Sequence, residues 1–174
     1  MANKKARLLV TLDCHRKCAY CCNKQPGKLA GAIKITALDR MVGYEEIMIS
    51  GGEPMLIPDF VQSVLFQIRN INPTAKVYLY TASYRNEMEW ILPLLDGVVF
   101  SIHEDATDEE THFNLTRMEY LIHLYGKGKS FRLNVVHRYP GDINIRPDLW
   151  SRINFVTPLD DCPVPEGEDL FILT

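Results

Sequence analysis

Short apolar runs alternating with stretches of helical periodicity predict an α/β fold built on one parallel sheet. Six runs rich in branched and aromatic residues recur along the chain, and helical patterns or helix caps stand between them. Just after each run comes a group of polar or special residues. Parallel crossovers are right-handed, so six such units curl in one sense. An open doubly wound sheet and a partial barrel both satisfy this order, and in both the ligand site lies at the carboxyl ends of the strands.

The elements follow in order. Residues 7–12 (RLLVTL) read as a buried strand that runs into a cysteine-rich stretch. A loop with turn chemistry at Gln25-Pro26-Gly27 comes next, and Thr36 with Asp39 offers a short helix toward Met41 and Val42. Residues 47–50 (IMIS) form the second strand, leading into Gly51-Gly52-Glu53-Pro54. Pro58 opens a helix whose Phe60, Val61, Val64, Leu65 and Ile68 share one face, and Asn72-Pro73 ends it. Residues 76–81 (KVYLYT) are the third strand. Asn86 with Glu89 then reads as a capping box for a helix that Pro93 shortens and Gly97 follows. Residues 98–103 (VVFSIH) are the fourth strand. Thr107 with Glu110 caps a helix carrying Leu115, Met118, Leu121 and Ile122, which Gly126 stops. Residues 131–137 and 153–157 are the fifth and sixth strands, with one or two helical turns near Pro147 to Ser151 between them. Leu170 to Leu173 is expected to add an edge strand.

Composition narrows the function classes. At 174 residues the chain suits one domain, read as spanning 1–174 with an acidic, proline-containing tail from Pro158. A net charge of −3 gives no electrostatic footprint for nucleic acid. The apolar run behind Lys4, Lys5 and Arg7 is too short for a signal-peptide core or a membrane span, so no membrane association is expected. Four of the five cysteines are clustered, which fits a reducing cytoplasm better than a disulfide framework.

The chemistry concentrates in the stretch from Asp13 to Asn23, DCHRKCAYCCN. Cys14, Cys18 and Cys21 stand in the spacing C-x3-C-x2-C, a pattern suited to thiolates on one iron–sulfur cluster. Three ligands leave one iron of a four-iron cubane open to bind something else. A zinc knuckle or a thioredoxin-like redox pair remains an alternative for this stretch alone. Cys22 and Cys162 are expected to be packed thiols, His15 a loop residue, and Asp160, Asp161, Glu166, Glu168 and Asp169 a solvated tail. His103 is equally suited to a ligand contact and to an ordinary polar strand end.

The cysteine spacing after the first strand and SGGEP after the second, with Tyr20 before Cys21 and Asn23 beyond it, resemble the radical S-adenosylmethionine (radical SAM) superfamily. The resemblance implies a partial (β/α)6 TIM-like barrel, a [4Fe-4S] cluster on Cys14, Cys18 and Cys21, and SAM chelated at the fourth iron. It implies that one electron cleaves SAM to methionine and a 5′-deoxyadenosyl radical, which abstracts hydrogen from a substrate. SAM contacts are expected from Tyr20, Gly51, Gly52, Glu53, Ser101, Asn134 and Val156. The implied partners are an external one-electron reductant of the flavodoxin or ferredoxin kind and an unidentified substrate, a protein or peptide among the options. No catalytic side chain is assigned. Glycyl-radical activases, peptide-modifying enzymes and 7-carboxy-7-deazaguanine synthases are the small relatives considered. Ser50 stands where the last group commonly has His. A non-catalytic iron–sulfur or zinc protein for electron transfer or interaction is the reading from another class.

Overall fold

The computed structural model describes residues 4–25, 27–137, 139–158 and 165–174. Among the described residues, eight strands appear in chain order: β1 (Lys5–Thr11), β2 (Ile33–Ile35), β3 (Glu46–Gly51), β4 (Lys76–Thr81), β5 (Gly97–Ile102), β6 (Ser130–Val136), β7 (Arg152–Val156) and β8 (Glu168–Leu173). They form one open sheet in the order β2-β8-β1-β3-β4-β5-β6-β7, with every neighbouring pair parallel. This is an α/β fold of the partial TIM-like barrel kind, with β1 and β3 to β7 as the six strands expected.

Three α-helices among the described residues connect them: α1 (Pro58–Ile71), α2 (Met88–Ile91) and α3 (Asp108–Tyr125). Alternate strand residues such as Leu8, Ile49, Leu79, Phe100 and Leu133 face the helices and build the main core. Val61, Val64, Leu65 and Ile68 of α1 are fully buried against it, each contributing about 1.5–3 kcal/mol relative to exposure. The other set of strand residues forms the inner face. Leu9, Met48, Val99 and Val136 make its apolar floor and lie outside the main core cluster.

Several expectations are corrected. The segment at Thr36 is a 3-10 turn over Asp39–Gly43 whose N-cap is Leu38. Asn86 and Glu89 form no capping box: Glu87 occupies the N-cap of α2 without a side-chain bond. Pro93 does shorten that helix, which tightens into a 3-10 turn at Leu92–Leu94. Gly97 opens β5 rather than ending a helix, because a Cβ there would stand 2.0 Å from the Ser130 carbonyl oxygen. The connection before β7 is likewise a 3-10 turn, Pro147–Leu149. The C-terminal segment is not an edge: β8 lies between β1 and β2. Glu168 accordingly belongs to the sheet, paired with Arg7 at 3.0 Å, and the Asp169 carboxylate accepts from the Tyr44 hydroxyl. Asp160, Asp161 and Cys162 lie outside the described residues. Thr107 caps α3 as expected, its hydroxyl accepting from the Glu110 N–H at 3.1 Å.

Candidate functional site

The cysteine stretch leaves the carboxyl end of β1 and is laid directly on the end of β3. Gly52 N–H donates to the Thr11 carbonyl at 2.7 Å, and Glu53 N–H to that of Asp13 at 2.8 Å. Only glycine permits this approach. A Cβ on Gly52 would stand 2.0 Å from the Asp13 oxygen, and one on Gly51, at φ +136°, 2.2 Å from the Thr11 oxygen. The nearest neighbour of the glycine pair is therefore the backbone that carries the cysteines, a contact the sequence reading did not foresee.

Glu53 is 2% exposed and both of its carboxylate oxygens are engaged. One accepts from the Met55 N–H at 2.9 Å and the Thr81 hydroxyl at 2.6 Å, the other from the Ala82 N–H at 2.8 Å. Burial pushes its pKa up against the pull of these donors. The side chain ties the end of β3 to the end of β4.

A second set of ties runs from the loop to β4, β5 and α3. Arg16, 5% exposed, donates to the Glu110 carboxylate at 2.6 Å, the Ala82 carbonyl at 3.3 Å and the Asp105 carboxylate at 3.5 Å. Its Nε is buried without a hydrogen-bond partner. Lys17 N–H donates to Asp105 at 2.8 Å, the Lys24 ammonium to the Arg16 carbonyl, and His15 Nε2 lies 3.3 Å from the Ser83 hydroxyl. Arg16 and Asp105 went unrecognised in the sequence, and Glu110 was read only as part of a helix cap, because these partners stand some ninety positions apart.

The thiols of Cys14, Cys18 and Cys21 are free and half-buried. Burial pushes the Cys14 thiol up, opposed by the Arg16 N–H that donates to its sulfur at 3.4 Å. Burial and the Asp105 carboxylate push the Cys18 thiol up to about 11. Cys18 Sγ lies 3.5 Å from His103 Nδ1, which is also 2.7 Å from the Tyr20 hydroxyl. Burial and Arg16 lower the His103 pKa to about 4, so its ring is neutral. His103 thus buttresses the loop. Cys22 is disulfide-bonded, which corrects its reading as a free thiol.

Among the described residues, no three His, Cys, Asp or Glu side chains converge on a single ion position. A cubane spreads its thiolates over separate irons, so its ligands need not converge. The soft sulfur donors, the N–H on Cys14 and the nearby Arg16 and Lys24 charges suit an anionic iron–sulfur group.

The remaining expected contacts lie on the inner face further along the sheet. Ser101 and Asn134 are register partners, as are Asn134 and Asn154. Asn154, not singled out from the sequence, donates to the Asn134 side-chain oxygen at 2.9 Å. Val156 pairs with Val136, one row nearer the carboxyl ends.

No protein-family model matches the chain. A curated GTP 3′,8-cyclase of Actinobacillus pleuropneumoniae serotype 5b (strain L20) is 34% identical over 92 residues, covering 48% of this chain and 27% of the relative. The enzyme of the same name from serotype 7 (strain AP76) is 33% identical over the same length. The chain thus spans about a quarter of the length of these relatives. Among solved structures, BtrN in complex with AdoMet and 2-DOIA superposes with a TM-score of 0.52 at 15% identity, covering 76% of this chain and 57% of that one. The match to the cyclases supports a radical SAM relationship over the half of the chain it covers. The likeness to BtrN is one of fold, and the cyclases supply the sequence relationship. No helix among the described residues is long and apolar enough to cross a membrane.

Proposed function

We propose that this chain is a radical SAM enzyme in which Cys14, Cys18 and Cys21 hold a [4Fe-4S] cluster. The observation that carries the reading is the seam between the two motifs, where Gly52 and Glu53 bond the backbone leading into Cys14. When bound, the cluster supplies the electron that cleaves SAM to methionine and a 5′-deoxyadenosyl radical, which takes a hydrogen from the substrate.

The chain's own residues supply placement. Arg16 and Lys24 offset the negative charge of three thiolates, whose protons leave as metal binds. Tyr20, Gly51, Gly52, Ser101, Asn134 and Val156 are assigned to SAM. Glu53 joins that set as the brace that holds the Gly51-Gly52 backbone in place rather than as a free acceptor. The buried floor of Leu9, Val99 and Val136 excludes water from the inner face.

The electron is proposed to come from a flavodoxin- or ferredoxin-like partner, and the compartment to be cytoplasmic. A small-molecule substrate is the preferred branch, since the relatives are named for a reaction of GTP. Glycyl-radical activation, peptide modification and 7-carboxy-7-deazaguanine synthesis are the branches a substrate screen separates from it.

The test is anaerobic reconstitution with iron and sulfide, addition of SAM and dithionite, and mass spectrometry for 5′-deoxyadenosine. The nucleoside is expected from the wild type and absent from Cys18→Ala. Zinc bound in place of a cluster after anaerobic preparation, or a cluster that never yields the nucleoside, would overturn the reading.

A further inference from the structure

The inner face of the sheet is cationic although the chain as a whole is acidic, with net charge −3. Half of the strand lysines and arginines on that face have a carboxylate of their own. Lys5 lies 3.8 Å from Glu46, Arg7 3.0 Å from Glu168, and Lys76 3.1 Å from Asp96. Two of the others stand together. Arg132 on β6 and Arg152 on β7 are direct register partners, so their side chains leave neighbouring strands on the same face. Among the described residues neither has an ion pair or a side-chain hydrogen bond.

Neighbouring strands run about 4.8 Å apart, and like charges opposite each other destabilise a sheet. Folding alone would not favour this arrangement. Arg132 is also held in place: its guanidinium reaches across β5 to the Tyr78 ring on β4, at 5.2 Å from the ring centroid. Gly97 is the β5 partner of Tyr78 and carries no side chain in the way. A guanidinium stacked on an aromatic ring keeps its N–H edge free for planar, bidentate recognition of an oxyanion. Two positions along the same strands lies the Asn134–Asn154 pair, joined side chain to side chain at 2.9 Å, and beside it Ser101. The paired arginines therefore lie toward the amino ends of β6 and β7, one inner-face row from Asn134 and on the same face as the residues assigned to SAM.

We propose that Arg132 and Arg152 form an oxyanion site on the inner sheet face that takes the phosphate or carboxylate group of a small-molecule substrate. Treating that ligand as the substrate rests on the radical SAM reading above. The oxyanion site itself does not, and can be tested without a cluster.

Isothermal titration calorimetry on the metal-free chain at low salt uses pyrophosphate as the phosphate probe and citrate as the carboxylate probe. One of the two is expected to bind, and the one that does names the group. Arg132→Gln and Arg152→Gln should each weaken binding at least about tenfold, since each removes a charge-assisted contact. Arg117→Gln, an exposed arginine on α3, should leave it unchanged. Without ligand, the double variant should melt no lower than the wild type, because an unfavourable pair of like charges has been removed. Binding of neither probe, or binding equal in the wild type and the double variant, overturns the proposal. A lower melting temperature of the ligand-free double variant would also overturn it, by showing the arginines to be structural. Failure to form 5′-deoxyadenosine would sink the radical SAM reading and leave this result standing.

Discussion

Replacing Glu53 tests whether this motif residue works mainly as an internal brace. Its two oxygens serve the Met55 N–H, the Ala82 N–H and the Thr81 hydroxyl, all within 2.9 Å. Thr81 has a second acceptor, the Ser83 carbonyl at 3.1 Å, so its hydroxyl survives the loss. The two backbone N–H groups have no such alternative among the described contacts. In Glu53→Ala both lose their acceptor, and each buried unsatisfied donor costs about 1–3 kcal/mol. The sum is about 2–6 kcal/mol. For a chain of this size, that corresponds to a fall in melting temperature of about 4–24 °C. Glu53→Gln separates the parts. Whichever way the amide is turned, its NH2 faces one of the two N–H groups and its oxygen serves the other, so the cost should be about half. Urea unfolding of the metal-free protein gives both values without reference to activity. Stability of either variant within about 0.5 kcal/mol of the wild type, or equal losses in the two, would refute the bracing argument.

Gly52→Ala would drive a Cβ to 2.0 Å from the Asp13 carbonyl oxygen. It is expected to cost about 1–3 kcal/mol and to lower the iron content after reconstitution, measured by metal analysis. Thr107→Ala removes the α3 cap and should cost about 0.5–2 kcal/mol in urea unfolding without lowering iron content. Asp96 gives the pH test. Burial pushes its carboxyl pKa up, but Arg69, the Val77 N–H and Lys76 outweigh burial and hold it below the usual range. A depressed folded-state pKa stabilises the fold above the ordinary value of about 3.9, and that contribution is lost as pH falls through the folded value. The stability gap between wild type and Asp96→Asn should therefore be full at neutral pH and close on acidification below about pH 4. A gap independent of pH would contradict the ion-pair assignment.

The chain's legibility follows the range of the interactions involved. Strands such as Lys76–Thr81 and Gly97–Ile102 announce themselves locally, as branched and aromatic runs, and the Thr107 cap acts over three residues. Ile33–Ile35 escaped notice because three residues carry no period. The placement of β8 beside β1 depends on a pairing between Lys5 and Glu168 that no local pattern encodes. Gly97 misled because a glycine after an apolar stretch fits a helix end as well as a close strand contact. At the site, the cysteine spacing and SGGEP are readable because their chemistry is contiguous. The seam between them and the Arg16 clamp are not, since each joins segments remote in sequence. The bond pattern of Glu53 reassigns weight from ligand contact to bracing, which a motif alone cannot weigh.

The position of β8 also sets an order of assembly. Strand β2, which follows the cysteine stretch in the chain, pairs among the described residues with β8 alone. On the ribosome, the residues from Ile35 to Glu168 take about 7–27 s to make at 5–20 residues per second. Throughout that interval β2 has no strand to pair with and cannot join the sheet that β1 and β3 begin.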